Sequence, residues 1–174
     1  MAKKTSTPSK SSEKITRVLF LDFDGVLCTD RVHYANYSDK IFPREYMRSL
    51  DPIGIKLVNR LCDDFDLTVV LCTTWRHQND CKVILRTHGF TAPFHHDINT
   101  PNEATFSSPG RKGAEINSWL DEHPEVKTYI ILDDDETILH FDHIVYPHPL
   151  DGISTENYLD ATRLLQMQIA KEQQ

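Results

Sequence analysis

The chain has 174 residues, enough to bury one core of ordinary size and too few for two full domains. Its formal net charge of -7 sets the surface against phosphate backbones, so extended nucleic-acid binding is not expected, whereas a small or end-on substrate is compatible. No apolar run approaches a bilayer span, no signal core is present, and Cys28, Cys62, Cys72 and Cys81 form no CxxC pair, so the expectation is a cytosolic chain with reduced thiols and no membrane partner.

Met1 to about Lys14 is rich in Ser, Thr and Lys and is predicted to be a disordered tail, leaving residues 15–170 as the folded domain. Val18-Leu19-Phe20-Leu21 is a continuous apolar run, the mark of a strand buried on both faces, and it stops at Asp22. Thr29 to Leu50 mixes aromatic and charged residues and is predicted to form a flap or small insertion over that strand's end. Asp51-Pro52 supplies an N-cap and a first-turn proline, after which Ile55, Val58, Leu61 and Cys62 recur at helical spacing. Leu67 to Cys72 is a second apolar strand, and a segment after Arg76 runs to His88 and stops at Gly89, a C-cap. Thr91 to Arg111 reads as loop, broken by Pro93, Pro101 and Pro109. Ile116, Trp119 and Leu120 then share one helical face, Tyr129 to Leu132 and His143 to Tyr146 are further strands, and a last helix spans about Ser154 to Met167. Strands alternating with helices require crossover connections, so the expected fold is α/β, a Rossmann-like doubly wound parallel sheet.

Asp22-Phe23-Asp24-Gly25 puts two carboxylates just beyond the carboxyl edge of the sheet, the side on which open α/β folds bind ligands. Two residues apart in extended chain they point the same way, and Gly25 lets the backbone turn, so both can approach one phosphoryl group. A calcium loop also uses Asp-x-Asp-Gly, but no EF-hand ligand set follows at the required spacing. The apolar strand Tyr129 to Leu132 delivers Asp133-Asp134-Asp135 to the same edge. Clustered carboxylates repel one another, a buried cation is the natural reason to gather them, and an oxygen-only donor set favours Mg²⁺ over zinc. The nine histidines, including His95-His96 and His140 with His143, show no HExxH or Cys/His spacing, which argues against a zinc site.

Leu21-Asp22-Phe23-Asp24-Gly25-Val26-Leu27 resembles the first motif of the haloacid dehalogenase (HAD) superfamily. The resemblance implies that Asp22 attacks phosphorus to form an aspartyl-phosphate and that Asp24 protonates the leaving oxygen, then activates the hydrolytic water. Val69-Val70-Leu71-Cys72-Thr73-Thr74-Trp75-Arg76 resembles the second motif and implies Thr73, or alternatively Thr74, as the phosphate ligand, with Arg76 a further substrate-binding candidate. Gly110-Arg111-Lys112-Gly113-Ala114-Glu115-Ile116 offers Lys112, or alternatively Arg111, as the third-motif cation. Ile130-Ile131-Leu132-Asp133-Asp134 is similar to the fourth motif; by the same likeness Asp22 and Asp133 bind Mg²⁺ through side chains and Asp24 through its carbonyl, while Asp134 orients a metal-bound water or Lys112.

Together with a late Asp151-Gly152-Ile153-Ser154 turn, these motifs are similar to HAD domains associated with RNA-repair proteins, which lack a large cap. The expected function is therefore a Mg²⁺-dependent phosphatase for a nucleotide or nucleic-acid end. A phosphatase for a small sugar phosphate and a non-catalytic phosphate-binding scaffold are the alternatives.

Overall fold

The computed structural model describes residues 16–36, 49–77, 79–101, 110–138 and 141–173. The expected tail and most of the expected flap lie outside them. Strand β1 (Thr16–Leu21) is followed by helix α1 (Asp30–Asn36), helix α2 (Pro52–Phe65), strand β2 (Leu67–Leu71) and a 3₁₀ turn (Thr74–His77). Helix α3 (Cys81–Thr87), strand β3 (Phe94–Asn99), helix α4 (Arg111–Glu122), strands β4 (Val126–Leu132) and β5 (Ile144–Val145) and helix α5 (Thr155–Glu172) complete the described elements.

The strands form a parallel sheet in the order β3-β2-β1-β4-β5. Side chains alternate across it, and the two faces bury separate cores. Leu19, Leu21, Val69 and Leu71 pack with Ile55, Val58 and Leu61 of α2 and Ala161 and Leu165 of α5. Val18, Phe20, Val70 and Ile131 pack on the other face with Ile116 and Trp119 of α4, and the Trp119 ring meets Phe20 edge-on at 5.3 Å. Burial on both faces explains why these strands read as unbroken apolar runs.

The helix ends follow local chemistry. Asp51 accepts a hydrogen bond from the Ile53 amide at 2.8 Å and Pro52 opens α2. Ser154 and Asn157 cap α5 reciprocally, although Asn157 stands where a glutamate or glutamine is more usual.

One expectation is corrected: the stretch read as loop from Thr91 to Arg111 contains β3. Its residues are polar and partly exposed because β3 is an edge strand, so the apolar run that identifies an inner strand is missing. Within the expected flap, Asp30–Asn36 is helical, capped where Thr29 Oγ1 accepts from the Val32 amide at 3.2 Å.

Candidate active site

The central strands end in step. Leu21 of β1 pairs with Leu71 of β2 and Leu132 of β4, so Asp22, Cys72 and Asp133 are the next residue on three neighbouring strands. The ladder continues past them: the Asp22 amide donates to Leu132 O at 3.0 Å and the Cys72 amide to Leu21 O at 3.1 Å. The strand order reverses between β1 and β4, so Asp22 and Asp133 flank the topological switch point, where the outgoing connections diverge and leave a crevice.

Into that crevice α4 projects Lys112 from its first turn. Lys112 Nζ donates to Asp22 Oδ2 at 2.5 Å and to Asp133 Oδ1 and Oδ2 at 3.0 and 2.9 Å. Asp133 is fully buried and Asp22 nearly so. The Asp135 amide donates to Asp133 Oδ1 at 3.0 Å, fixing the carboxylate within its own turn. Asp24 takes a different partner: Trp75 Nε1 lies 3.0 Å from each of its carboxylate oxygens. The Trp75 ring itself packs edge-on against Phe23 at 5.4 Å.

Gly25 is required twice over. Its φ of 67° is in the left-handed region, and a Cβ there would stand 2.1 Å from Asp134 Oδ2, so the absent side chain is the space Asp134 occupies. Across the turn, the Ile153 amide donates to Val26 O at 3.0 Å, and a Cβ on Gly152 would lie 2.5 Å from that same oxygen. The two glycines allow the loop after β1 to nest between Asp134 and the Asp151–Ser154 turn.

The electrostatics are those of too many acids sharing one ammonium. Burial foremost, then the charge of Asp22, pushes Asp133 up to about 7 despite Lys112. The same two causes raise Asp24, against the opposing Trp75 hydrogen bond, and raise Asp134. For Lys112 burial works against the ammonium, but Asp22 and Asp133 outweigh it and hold the group above its usual range. Burial and the adjacent Asp133 and Asp22 keep Cys72 a thiol, its Sγ 3.7 Å from Asp133 Oδ2.

Asp22, Asp133 and Asp134 each offer an oxygen within 4.8 Å of the others. An all-oxygen set with excess negative charge suits a hard divalent cation. The residues present therefore fit a metal of that class.

The other expected residues divide between this cluster and a second network. Thr73 is fully buried, and its Oγ1 accepts from the Trp75 amide at 3.3 Å, which leaves its hydroxyl hydrogen to donate elsewhere. Thr74 is half-buried at the start of the 3₁₀ turn. Arg76 is set against Thr73 O at 2.6 Å and Glu115 Oε2 at 2.6 Å, so it braces the loop after β2. Arg111 lies 3.4 Å from the other Glu115 oxygen, and Thr100 Oγ1 donates to Glu115 at 3.3 Å. Glu115, fully buried between two guanidinium groups, was not singled out from the sequence; its place four residues after Arg111 is the signal that could have found it. The bond from Trp75 to Asp24 has no signature in the sequence.

Beside Asp24 a cavity of about 280 Å³ is lined by Gly25, Cys28, Thr29, Asp30 and His33 among others. Asp24 thus stands between the acidic cluster and a space able to take a small group.

Residues 18–158 match the family described as the HAD domain in Swiss Army Knife RNA repair proteins. No curated protein and no solved structure matches the chain. The matched span begins in β1 and ends within α5, taking in every strand end and helix start that supplies the acidic cluster, and on this evidence the chain belongs to that family of HAD domains.

Proposed function

We propose that this domain is a Mg²⁺-dependent phosphomonoesterase acting on a phosphorylated nucleic-acid end. The observation that carries the reading is the contact of Lys112 Nζ with both Asp22 and Asp133 at the sheet's switch point, with Asp24 hydrogen-bonded to Trp75. A nucleophile needs an adjacent cation to receive an anionic phosphoryl group, whereas an acid/base needs a raised pKa and a different orientation. Asp22 and Asp24 divide these two requirements between them.

In the first step an Asp22 oxygen attacks phosphorus and the bond from phosphorus to the leaving oxygen breaks as Asp24 passes its proton to that oxygen. In the second, Asp24 takes a proton from water, the water oxygen attacks the aspartyl-phosphate, and phosphate leaves with Asp22 regenerated. Thr73 donates its hydroxyl hydrogen to a non-bridging oxygen, Thr74 adds contacts from the same loop, and Lys112 offsets the charge that develops on the equatorial oxygens. A divalent ion held by Asp22, Asp133, Asp134 and the Asp24 carbonyl would supply further positive charge to the phosphoryl group. Arg76 acts one layer back, holding the Thr73 carbonyl in place.

The family and the charge favour a nucleic-acid end, while the cavity suits a terminal sugar and a free one alike. The family occurs in RNA-repair proteins. The net charge of -7 disfavours a long backbone track but permits a terminus. The cavity beside Asp24 has room for a small leaving group such as a terminal sugar, which is also the observation that favours a free sugar phosphate.

The test is phosphate release by purified protein with Mg²⁺ on oligonucleotides phosphorylated at either end, mononucleotides and sugar phosphates, beside Asp22→Asn. The highest kcat/KM is expected on an oligonucleotide end, with no turnover by Asp22→Asn. Preference for sugar phosphates would replace the substrate assignment. Binding of a phosphate analogue without turnover of any substrate would replace the enzyme with a scaffold.

A further inference from the structure

Away from the acidic cluster, the fold assembles three histidines that the sequence keeps apart. β3 pairs Phe94 with Val69 and Asn99 with Leu71, so five steps along β3 span two steps along β2. The surplus residues bulge out, and a bulge re-aims side chains that a regular strand would send to opposite faces. His95 and His96 consequently lie on one side with ring centroids 4.1 Å apart. His123, the C-cap of α4, completes the group at 5.1 Å from His95 and 5.9 Å from His96.

We propose that His95, His96 and His123 bind one first-row transition-metal ion of the imidazole-preferring class, with Zn²⁺ as the probe, at a site distinct from the acidic cluster. Each ring offers a nitrogen within 4.8 Å of the other two. Ligands at about 2.0–2.1 Å around a tetrahedral ion stand about 3.4 Å apart, so closure needs a modest ring movement, which the exposed His96 is free to make.

The tautomers suit ligation. His123 Nδ1 lies 2.7 Å from Trp119 O, and a carbonyl only accepts, so Nδ1 carries the hydrogen and Nε2 keeps its lone pair. Nε2 faces β3, 3.7 Å from Asp97 Oδ2, whose charge favours a cation alongside. His95 Nδ1 lies 3.2 Å from both the Asp97 carbonyl oxygen and the Asp97 amide nitrogen, so both of its tautomers have a partner, and the one that donates to the carbonyl leaves Nε2 with its lone pair. Stacking of His123 on Trp119, with centroids 3.7 Å apart, fixes the ring's direction. The carboxyl end of α4 adds the negative end of its dipole.

Lys112 and His123 lie near opposite ends of α4, about 16 Å apart at the helical rise. An ion at the histidines would clip edge strand β3 to the helix that positions Lys112, without entering the reaction.

The full chain, with Mg²⁺ in excess to saturate the carboxylates, is titrated with Zn²⁺ by calorimetry and with Co²⁺ by visible absorption. One saturable equivalent is expected, with the intense bands of four-coordinate Co²⁺ and a Zn²⁺-dependent rise in melting temperature. His96→Ala, at an exposed position, and His123→Gln should each weaken binding about tenfold or more, with urea denaturation without metal showing that both variants fold. Absence of a saturable equivalent, or an affinity unchanged in both variants, would overturn the proposal.

Discussion

Lys112→Met tests the electrostatic account of the cluster most directly. The methionine keeps the length and apolar stem of the side chain but removes an ammonium lying 2.5 Å from Asp22 and 2.9 Å from Asp133. At an effective dielectric of about 20 each contact has a gross Coulomb energy of about 6 kcal/mol, most of which offsets the desolvation of the three groups. What remains exposed by the mutation is the cost of buried acids left without a partner, about 3–5 kcal/mol at pH 8. That cost must depend on pH with a definite sign. Asp133 is already pushed up to about 7 with Lys112 present, and without it must titrate higher still. A carboxyl raised above its unfolded value stabilises the fold below about pH 4, and that contribution is lost as pH rises through the folded value. The variant's deficit should therefore be small at pH 5 and largest at pH 8, as read by urea denaturation without metal, and Mg²⁺ should relieve part of it. Turnover should fall about 10²–10³-fold, in kcat more than in KM. A deficit equal at both pH values, or unimpaired turnover, would refute the reasoning.

Trp75→Phe keeps the edge contact with Phe23 and removes the indole N–H from Asp24. Since that bond lowers the Asp24 pKa, its loss should move the alkaline limb of the kcat/KM profile to higher pH; a shift the other way would contradict the acid role. Gly25→Ala places a methyl where Asp134 Oδ2 now lies at 2.1 Å and forces alanine to a φ of 67°. It should cost about 1–3 kcal/mol in thermal unfolding and weaken Mg²⁺ binding by calorimetry about tenfold or more. Glu115→Gln removes the charge shared by Arg76 and Arg111 and should cost about 3–5 kcal/mol by urea denaturation, because both guanidinium groups stay largely buried.

Legibility in the sequence followed burial. β1, β2 and β4 are enclosed on both faces, and each announces itself as an apolar run that stops at the carboxyl edge, so Asp22, Thr73 and Asp133 could be located before any fold was known. β3 shows the converse: as an edge strand it is built from Phe94-His95-His96-Asp97-Ile98-Asn99, and its bulge abolishes the alternation that marks a half-buried strand. The contacts of Arg76 and Trp75 were undecidable for a different reason. Their partners lie far along the chain, Glu115 for Arg76 and Phe23 and Asp24 for Trp75, and long-range pairing leaves no periodicity to read. The histidine group is the extreme case, since spacing that argues against a metal motif says nothing about residues that a bulge and a helix end bring together.

The same division explains how a cluster that disfavours folding is held together. Asp22 and Asp133 repel each other at all but acid pH once Lys112 is outnumbered, yet neither can withdraw: each follows a fully buried leucine, Leu21 and Leu132, whose main chain is bonded on both sides. Moving either main chain by an ångström would break ladder bonds at the sheet's centre, so the apolar core underneath fixes the points from which the two acids project. Asp24 and Asp134 lie one or two residues further out, in turns, where Asp24 meets Trp75 Nε1 and Asp134 fills the space left by the missing Gly25 side chain. It follows that cation binding should order the outer pair more than the inner one. Hydrogen exchange on adding Mg²⁺ should slow at residues 24–28 and 134–137 while leaving β1 and β4 unchanged, and uniform slowing across all four segments would show that the strands are not the fixed frame.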